Sequence, residues 1–280
     1  MQQKIFIFLG FLILFISCNS KNEINNDLKK NNLFGNIKSI NKNHYDATEK
    51  FGEPVKLNNT STTSSLILFN NFGNIMEETE KYYMTLLITK CKYDDNKLLE
   101  RNLYNEDGTL SNRTKFKYDE KSNLIEENIY DKQGNSKLKF VNKYNNLNQI
   151  IESHGYHENK VTFKIMSIYD SAGNKIREKA FDCKENIFYR DETFRYDENK
   201  NIISSISFND YGTFKTNMIS NMKYDDYNNI ILDSFKNELD GRKGSNTYKY
   251  EYDSEKNWTK QVKFKNGKPI KIIEREIDYY

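Results

Sequence analysis

Two aromatic series recur along the chain at almost the same interval. The first is a tyrosine followed by Asp or Asn, with successive spacings of 25, 26, 25, 27, 28 and 28 residues, at Tyr93, Tyr118, Tyr144, Tyr169, Tyr196, Tyr224 and Tyr252. The second lies between these positions, at Tyr104, Tyr130, Tyr156, Phe181, Phe208, Phe235 and Phe264. A shared period of this kind predicts a repeat architecture, in which each repeat is one supersecondary unit.

The pattern within each half-repeat favours strands over helices. Half a period is about 13 residues, which a strand of about 6–8 residues and its turn would fill. A helix with its loop would also fit this length, so the side-chain alternation decides. Apolar and polar residues alternate in Phe116-Lys117-Tyr118, Phe194-Arg195-Tyr196 and residues 248–252. Alternation with period two is typical of a strand with one buried and one solvated face.

The segments between the strands have the composition of hairpin turns. Asp131-Lys132-Gln133-Gly134 and Asp170-Ser171-Ala172-Gly173 place Asp first and Gly fourth. Asp can bond the turn backbone, and Gly adopts the left-handed conformation of a type I turn followed by a bulge. Where the Gly is absent, we expect Asn123 and Asn201 to take its place, because Asn tolerates that conformation.

These features predict an all-β fold of tandem β-hairpin repeats in one long, curled antiparallel sheet, with the aromatic ladder as its core. The repeat domain is predicted over residues 66–280, as about seven hairpins. Twist should curl so many strands into a half-open sheet. Residues 33–65 are predicted to cap the first repeat, with 36–40 as an edge strand.

The turns also carry a resemblance to a known family. Tyr-Asp-x-x-Gly-Asn, found at residues 130–135 and 169–174, resembles the YD repeat of the Rhs-type family. The resemblance extends over about residues 66–280 and implies an antiparallel sheet that spirals into a shell. In large members of that family the repeats carry a C-terminal toxin.

The first 17 residues have the pattern of a cleavable leader, so we do not expect them to be part of the fold. Lys4 precedes the apolar run of residues 5–16, which is too short to cross a bilayer as a helix but fits a signal peptide. The run ends at Phe15-Ile16-Ser17-Cys18, which resembles the lipobox of bacterial lipoproteins. That resemblance implies cleavage before Cys18, acylation of its thiol, and membrane attachment through the lipid. An ordinary secretory signal with an incidental Cys18 is the alternative.

The residues after Cys18 indicate how the chain is attached and where. Residues 18–32 are polar and Asn-rich, which predicts a flexible tether. Residue 19 is Asn rather than the Asp that retains some lipoproteins at the inner membrane, so we expect the outer membrane, on either face. Lys and Arg number 43 against 40 Asp and Glu, with no sustained basic block. We therefore expect no nucleic-acid partner.

No residue pattern in the sequence predicts a catalytic or metal site. The Asp/Asn turns are too short to supply the 6–8 oxygens that calcium takes, and His154 and His157 have no third zinc ligand nearby. His44 stands alone in the sequence, and Cys91 and Cys183 are expected to be inert thiols. Adjacent carboxylates, Glu77-Glu78 and Glu126-Glu127, point to opposite faces of a strand and cannot share a site. We therefore predict that the protein is not an enzyme and that it binds no cofactor.

The function expected from these features is a non-catalytic cell-envelope binding or scaffold module. Its ligand could be a glycan, a peptide or an envelope protein. Aromatic residues outside the two series are candidate ligand contacts, since exposed rings can stack on sugars or peptides: Tyr82, Tyr83, Tyr189, Tyr211 and Tyr227. The alternative is a reduced Rhs-type shell or delivery element associated with a toxin system.

Overall fold

A computed structural model describes residues 26–58, 60–183, 187–210, 212 and 215–280. It contains one short helix, α1 (Asp27–Lys30), and the following strands: β1 (Ile37–Lys50), β2 (Glu53–Lys56), β3 (Thr63–Phe69), β4 (Ile75–Tyr82), β5 (Thr85–Asp94), β6 (Lys97–Asn105), β7 (Leu110–Tyr118), β8 (Leu124–Asp131), β9 (Ser136–Tyr144), β10 (Ile150–His157), β11 (Lys160–Tyr169), β12 (Lys175–Asp182), β13 (Ile187–Tyr196), β14 (Ile202–Asp210), β15 (Lys215–Tyr224), β16 (Ile230–Asn237), β17 (Lys243–Tyr252), β18 (Trp258–Lys265) and β19 (Lys268–Tyr279). Among these residues, no helix has the length and apolar character needed to cross a bilayer.

The strands form one antiparallel sheet that closes on itself. From β3 to β19 each strand pairs with the next along the chain, and β1 pairs with both β19 and β3. Because β2 pairs in register only with β1, the closed ring contains 18 of the 19 strands. The expectation of an all-β fold built of hairpins is confirmed, but the half-open curled sheet is wrong: the sheet is a closed barrel.

Closure depends on a strand outside the repeats. Lys42 in β1 lies opposite Arg275 in β19 and opposite Ser65 in β3. The prediction that residues 36–40 form an edge strand is therefore wrong, because β1 has a hydrogen-bonded neighbour on each side. Closure leaves no free edge within the ring of 18 described strands, which is the physical advantage of a barrel over an open sheet.

The two faces of the sheet differ in exposure. In β17, Tyr248, Tyr250 and Tyr252 are half-buried, whereas the intervening Lys249 and Glu251 are exposed. In β7, likewise, Phe116 is buried and Lys117 is exposed. Side chains on the concave side of a closed sheet are shielded by curvature, so we take the tyrosine-bearing face as the inner face of the barrel.

The turns at one end of the barrel are built from Asp and Asn pairs. The Asp119 carboxylate accepts hydrogen bonds from the backbone N–H of Asn123 at 2.8 Å and from its side-chain amide at 2.9 Å. In the turns that begin at Asp119 and Asp197, the left-handed residues are Ser122 and Lys200, each with φ of 66°. The prediction that Asn123 and Asn201 replace the glycine is thus wrong by one position. These asparagines fix the carboxylate of the turn instead.

Residues 26–36 lie across the end of the barrel at which β5, β7 and the later odd-numbered strands terminate, hereafter the tyrosine end. The backbone N–H of Leu28 donates to Gly73 in the β3–β4 turn at 3.0 Å. At the other side of the opening, the Asn32 side chain donates to the Tyr227 carbonyl, and the Phe34 N–H donates to Asn257 at 2.9 Å. The predicted tether of residues 18–32 therefore extends too far, because its last seven residues, from position 26, pack on the barrel.

The compact apolar core lies beneath this crossing segment. Leu28, Ile37, Ile40 and Phe69 are buried together, and Ile277 packs against them. The core therefore joins α1 to the three strands that close the barrel. Among the fully buried members of this cluster, Phe69 is the only aromatic residue. The prediction that the repeating aromatic ladder forms the core is therefore wrong for this cluster.

Candidate ligand-binding site

The first aromatic series forms a ring of hydroxyl groups at the tyrosine end. Each of six tyrosines ends or nearly ends an odd-numbered strand, and its hydroxyl donates to a carbonyl at the start of the preceding even-numbered strand. The donor and acceptor pairs are Tyr93 to Ile75 (2.9 Å), Tyr118 to Leu98 (3.0 Å), Tyr144 to Leu124 (2.8 Å), Tyr169 to Ile150 (2.9 Å), Tyr196 to Lys175 (2.7 Å) and Tyr224 to Ile202 (2.8 Å). These bonds join successive hairpins and give the repeat its physical basis.

The seventh tyrosine of the series departs from this rule. Tyr250 donates to the Ile230 carbonyl at 2.8 Å, in the position expected for Tyr252. Tyr252 instead donates to the Asp225 carboxylate in the preceding turn, and its ring packs against Tyr227 with centroids 4.8 Å apart. Burial raises the pKa of the Tyr196 and Tyr250 hydroxyls to about 12, so both remain protonated donors at neutral pH.

Several members of the second series lie on the outer face beneath lysine side chains. The Lys115 ammonium lies 5.8 Å from the Tyr130 ring centroid, and Lys139 lies 5.3 Å from that of Tyr156. These are cation–π contacts between neighbouring strands. Tyr130, Lys115 and Arg113 also line a shallow groove of about 340 Å³ near the end of the barrel opposite the tyrosine end, hereafter the far end.

The predicted ligand-contact aromatics do not share one surface. Tyr82 is the last residue of β4 and Tyr83 lies in the β4–β5 turn at the far end. Their exposed fractions are 45% and 80%. Tyr189 is near the start of β13, also toward the far end, and is half-buried. Tyr227 is half-buried at the tyrosine end, and Tyr211 lies outside the described residues.

The inner face carries a network of ionised side chains that the sequence pattern did not reveal. The Lys175 ammonium lies 2.6 Å from the Glu178 carboxylate, and both side chains are buried. Arg190 also contacts Glu178, which lies opposite Glu192 in the sheet. Burial lowers the pKa of Lys175 to about 8 and raises the pKa of Glu192. The network is internally paired through Glu178, which explains how the barrel tolerates it.

A second inner-face cluster is cationic. Lys42 and Arg275 lie opposite each other, and His44 is two residues along β1. Burial, together with Lys42, Lys271 and Arg275, lowers the pKa of His44 to about 4. His44 stands alone in the sequence because its cationic neighbours in β19 lie more than 220 residues away. Only closure of the barrel brings them together.

The remaining candidates for chemistry are separated from one another. Cys91 and Cys183 are free thiols, and burial raises the pKa of Cys91. His154 lies 3.0 Å from Glu152, whose carboxylate also accepts from Lys143 and Lys164. In the described part of the chain, no group of three or more His, Cys, Asp or Glu residues is placed to hold a metal. Cys18 lies outside it.

Comparison with known proteins assigns no family. No protein-family model matches the chain, and no curated protein matches it either. A crystal structure of a porin-like protein from Bacteroides uniformis shares 11% identity with a TM-score of 0.45, over 86% of this chain and 98% of that one. A porin-like protein from Bacteroides vulgatus shares 10% identity with a TM-score of 0.38, over 84% and 97%.

One further similar structure is a much longer chain, in the TcdB2-TccC3-Cdc42 crystal structure. It shares 14% identity with a TM-score of 0.35, over 79% of this chain but 15% of that chain. At such identities and TM-scores, the function of this protein has to be argued from its own residues.

Proposed function

We propose that this protein is a non-catalytic, lipid-anchored module of the cell envelope, with a closed barrel of YD-like hairpins that binds a ligand or serves as a scaffold. The lipid on Cys18 would hold it to the outer membrane. The observation that carries the proposal is the distribution of charge on the barrel wall, which favours a barrel in water, held by its N terminus.

Both faces of the wall carry charged side chains within the strands. Adjacent pairs such as Glu77-Glu78 in β4 and Glu126-Glu127 in β8 point one carboxylate to each face. On the outer face, Lys117 is 66% exposed and pairs with Glu126 at 2.6 Å. A bilayer-spanning wall needs an outward apolar band about 25 Å tall. Whichever face is turned outward, these charges interrupt such a band.

The crossing segment also supports a defined orientation. Asn26 is fixed to the tyrosine end, where its side chain donates to the Phe72 carbonyl at 2.7 Å. The eight-residue step from Cys18 to Asn26 can extend over about 28 Å at most. A lipid on Cys18 would therefore hold the tyrosine end toward the membrane and present the far end, with Tyr82 and Tyr83, to the surroundings.

Lipid attachment can be tested with the full chain expressed in a bacterial host. We expect radiolabelled palmitate to be incorporated into the protein, and the protein to fractionate with membranes. The Cys18→Ala variant should lose both properties. Membrane fractionation of Cys18→Ala equal to that of the parent protein would contradict the anchor.

Orientation can be tested on the lipidated protein in vesicles with an acceptor dye in the membrane. Glu120→Cys places a donor label in an exposed turn at the tyrosine end, and Gln133→Cys places one in an exposed turn at the far end. We expect stronger energy transfer to the membrane from position 120. Equal transfer, or stronger transfer from position 133, would reject this orientation.

Ligand binding can be surveyed with glycan arrays and with envelope extracts passed over the detergent-purified protein. The proposal expects specific retention of a glycan, a peptide or an envelope protein. Failure to retain any of these would weigh against a binding role. The reduced Rhs-type shell remains a prediction that a toxin and immunity gene pair beside this gene would favour.

A further inference from the structure

One row of residues on the inner face runs across the closure of the barrel. Arg275 in β19 lies opposite Lys42 in β1, Lys42 lies opposite Ser65 in β3, and Ser65 lies opposite Glu80 in β4. Directly opposed residues of an antiparallel sheet point to the same face. The row therefore places a guanidinium, an ammonium, a hydroxyl and, at its end, a carboxylate on one face.

Two of these groups have buried polar atoms without partners. Among the described residues, three buried side-chain nitrogen or oxygen atoms make no hydrogen bond: Ser65 Oγ, Arg190 Nε and Arg275 Nε. Two of the three belong to this row. Ser65 is itself 94% buried, since its exposed fraction is 6%. Buried polar atoms are nearly always paired in folded proteins, so two exceptions in one row, on either side of Lys42, indicate a missing acceptor.

The cations in and beside the row, Lys42, Lys271 and Arg275, outnumber the two carboxylates that act on Lys42, Glu78 and Glu80. Within the described residues, neither Lys42, Lys271 nor Arg275 forms an ion pair. Glu80 accepts from the Tyr82 hydroxyl at 2.6 Å. Burial and the neighbouring Arg275 lower the pKa of Lys42, and burial lowers the pKa of Arg275 to about 9. Glu78 and Glu80 act in the opposite direction on the pKa of Lys42, so the positive charge is only partly compensated, and the excess favours an anion.

Packing holds the guanidinium in place without neutralising it. Arg275 Cζ lies 3.3 Å from the ring centroid of Trp258, and the Tyr250 ring packs 5.9 Å from the same indole. Stacking of this kind orients an arginine while leaving the edge of its guanidinium free for bidentate bonding to an oxyanion. The donor set thus has the character of a preorganised oxyanion site.

We infer that the inner face binds an oxyanion group, a phosphate or carboxylate, between Lys42, Ser65 and Arg275. The site is formed only when β1 closes the barrel between β19 and β3. The inference rests on the proposed binding function and gives the chemical class of its ligand. It does not depend on the lipid anchor. A negative palmitate-labelling result would therefore reject the anchor alone, and a negative result in the anion titration would reject the oxyanion site alone.

The test uses the intrinsic fluorescence of the full chain in detergent, because Trp258 is the single tryptophan. Inorganic phosphate, sulfate and acetate are titrated at constant ionic strength against chloride. We expect a saturable change in Trp258 emission with at least one oxyanion and none with chloride. Preference for phosphate and sulfate over acetate would distinguish a phosphate-type ligand from a carboxylate. No saturable change with any oxyanion up to about 10 mM would overturn the inference.

Matched variants separate the site from a general charge effect. Lys42→Met removes the inner ammonium, and Lys249→Met makes the same change on the outer face, where Lys249 is exposed. We expect at least tenfold weaker binding for Lys42→Met and unchanged binding for Lys249→Met. Ser65→Ala retains every charge and should weaken binding severalfold, so it decides the case if Lys42→Met does not fold. Equal affinity in all three variants would refute the site.

Discussion

Removing the hydroxyl groups of the tyrosine ring should destabilise the barrel in equal steps. Tyr118→Phe, Tyr169→Phe and Tyr224→Phe each retain the ring and delete one bond, to Leu98, Ile150 and Ile202, of 3.0, 2.9 and 2.8 Å. An intramolecular hydrogen bond contributes about 1 kcal/mol, and a carbonyl left unpaired adds to the loss.

The three sites lie in separate hairpins, so their effects should add. Well-separated substitutions are additive to within about 0.5 kcal/mol, which predicts a loss of about 3 kcal/mol for the triple variant. That is a large share of the roughly 5–15 kcal/mol by which folded domains are stable. Tyr83→Phe is the matched control, since Tyr83 is 80% exposed and should change the free energy of unfolding very little.

The assay is denaturant unfolding followed by far-ultraviolet circular dichroism, with the free energy of unfolding extrapolated to water. We expect lower denaturation midpoints with unchanged slopes for the Tyr→Phe variants of the ring. A triple variant as stable as Tyr83→Phe would refute this expectation, because the recurring tyrosines would then have no role in joining the hairpins.

Three other predictions concern the turns, the crossing segment and an outer ion cluster. Ser122→Gly should stabilise the protein by about 0.5–1 kcal/mol, because Ser122 has φ of 66° and glycine adopts this conformation freely; unchanged thermal unfolding would contradict this. Asp27→Ala removes the charged acceptor of the Ile75 N–H, at 2.9 Å, so it should cost about 2 kcal/mol and speed proteolysis of residues 26–36; an unchanged cleavage rate would oppose it. Bonds from Lys143 and Lys164 lower the pKa of Glu152 to about 2, below its unfolded value of about 4.3. The stability that ionised Glu152 contributes is therefore fully present above about pH 4.3 and is lost as the pH falls toward about 2. When the free energy of unfolding is measured against pH, the Glu152→Gln variant should lack this acid-dependent loss.

The hairpins and their turns could be predicted because the determinants are local. Alternation about each Tyr-Asp pair identified the strands, and the Asp at the start of each turn bonds the backbone as its chemistry suggests. The fourth turn position was harder to assign. Ser122 and Lys200 adopt a left-handed conformation that neither residue favours, while Asn123 and Asn201 bond the turn carboxylate. Asn suits either role, so composition alone does not separate them.

Closure and the cationic inner-face cluster could not be predicted because they depend on distant segments. β1 lacks the aromatic repeat, yet it pairs with β3 and with β19 at the opposite end of the chain. The cluster of Lys42, His44 and Arg275 exists only because of that pairing. Leu28 and Asn32 likewise have no local signal, since their contacts are with turns that come together only in the folded barrel.

The closed ring itself is tested most directly by a disulfide across the β1–β19 seam. Asn41 and Glu276 lie directly opposite each other, and their side chains are joined by a 3.1 Å hydrogen bond. In a chain with Cys91 and Cys183 replaced by Ser, we predict that Asn41→Cys with Glu276→Cys forms an intramolecular disulfide under mild oxidation, seen by peptide mass spectrometry. The control pair, Asn41→Cys with Lys143→Cys in β9, should not. Absence of the 41–276 link, or its formation only between molecules, would contradict a closed barrel.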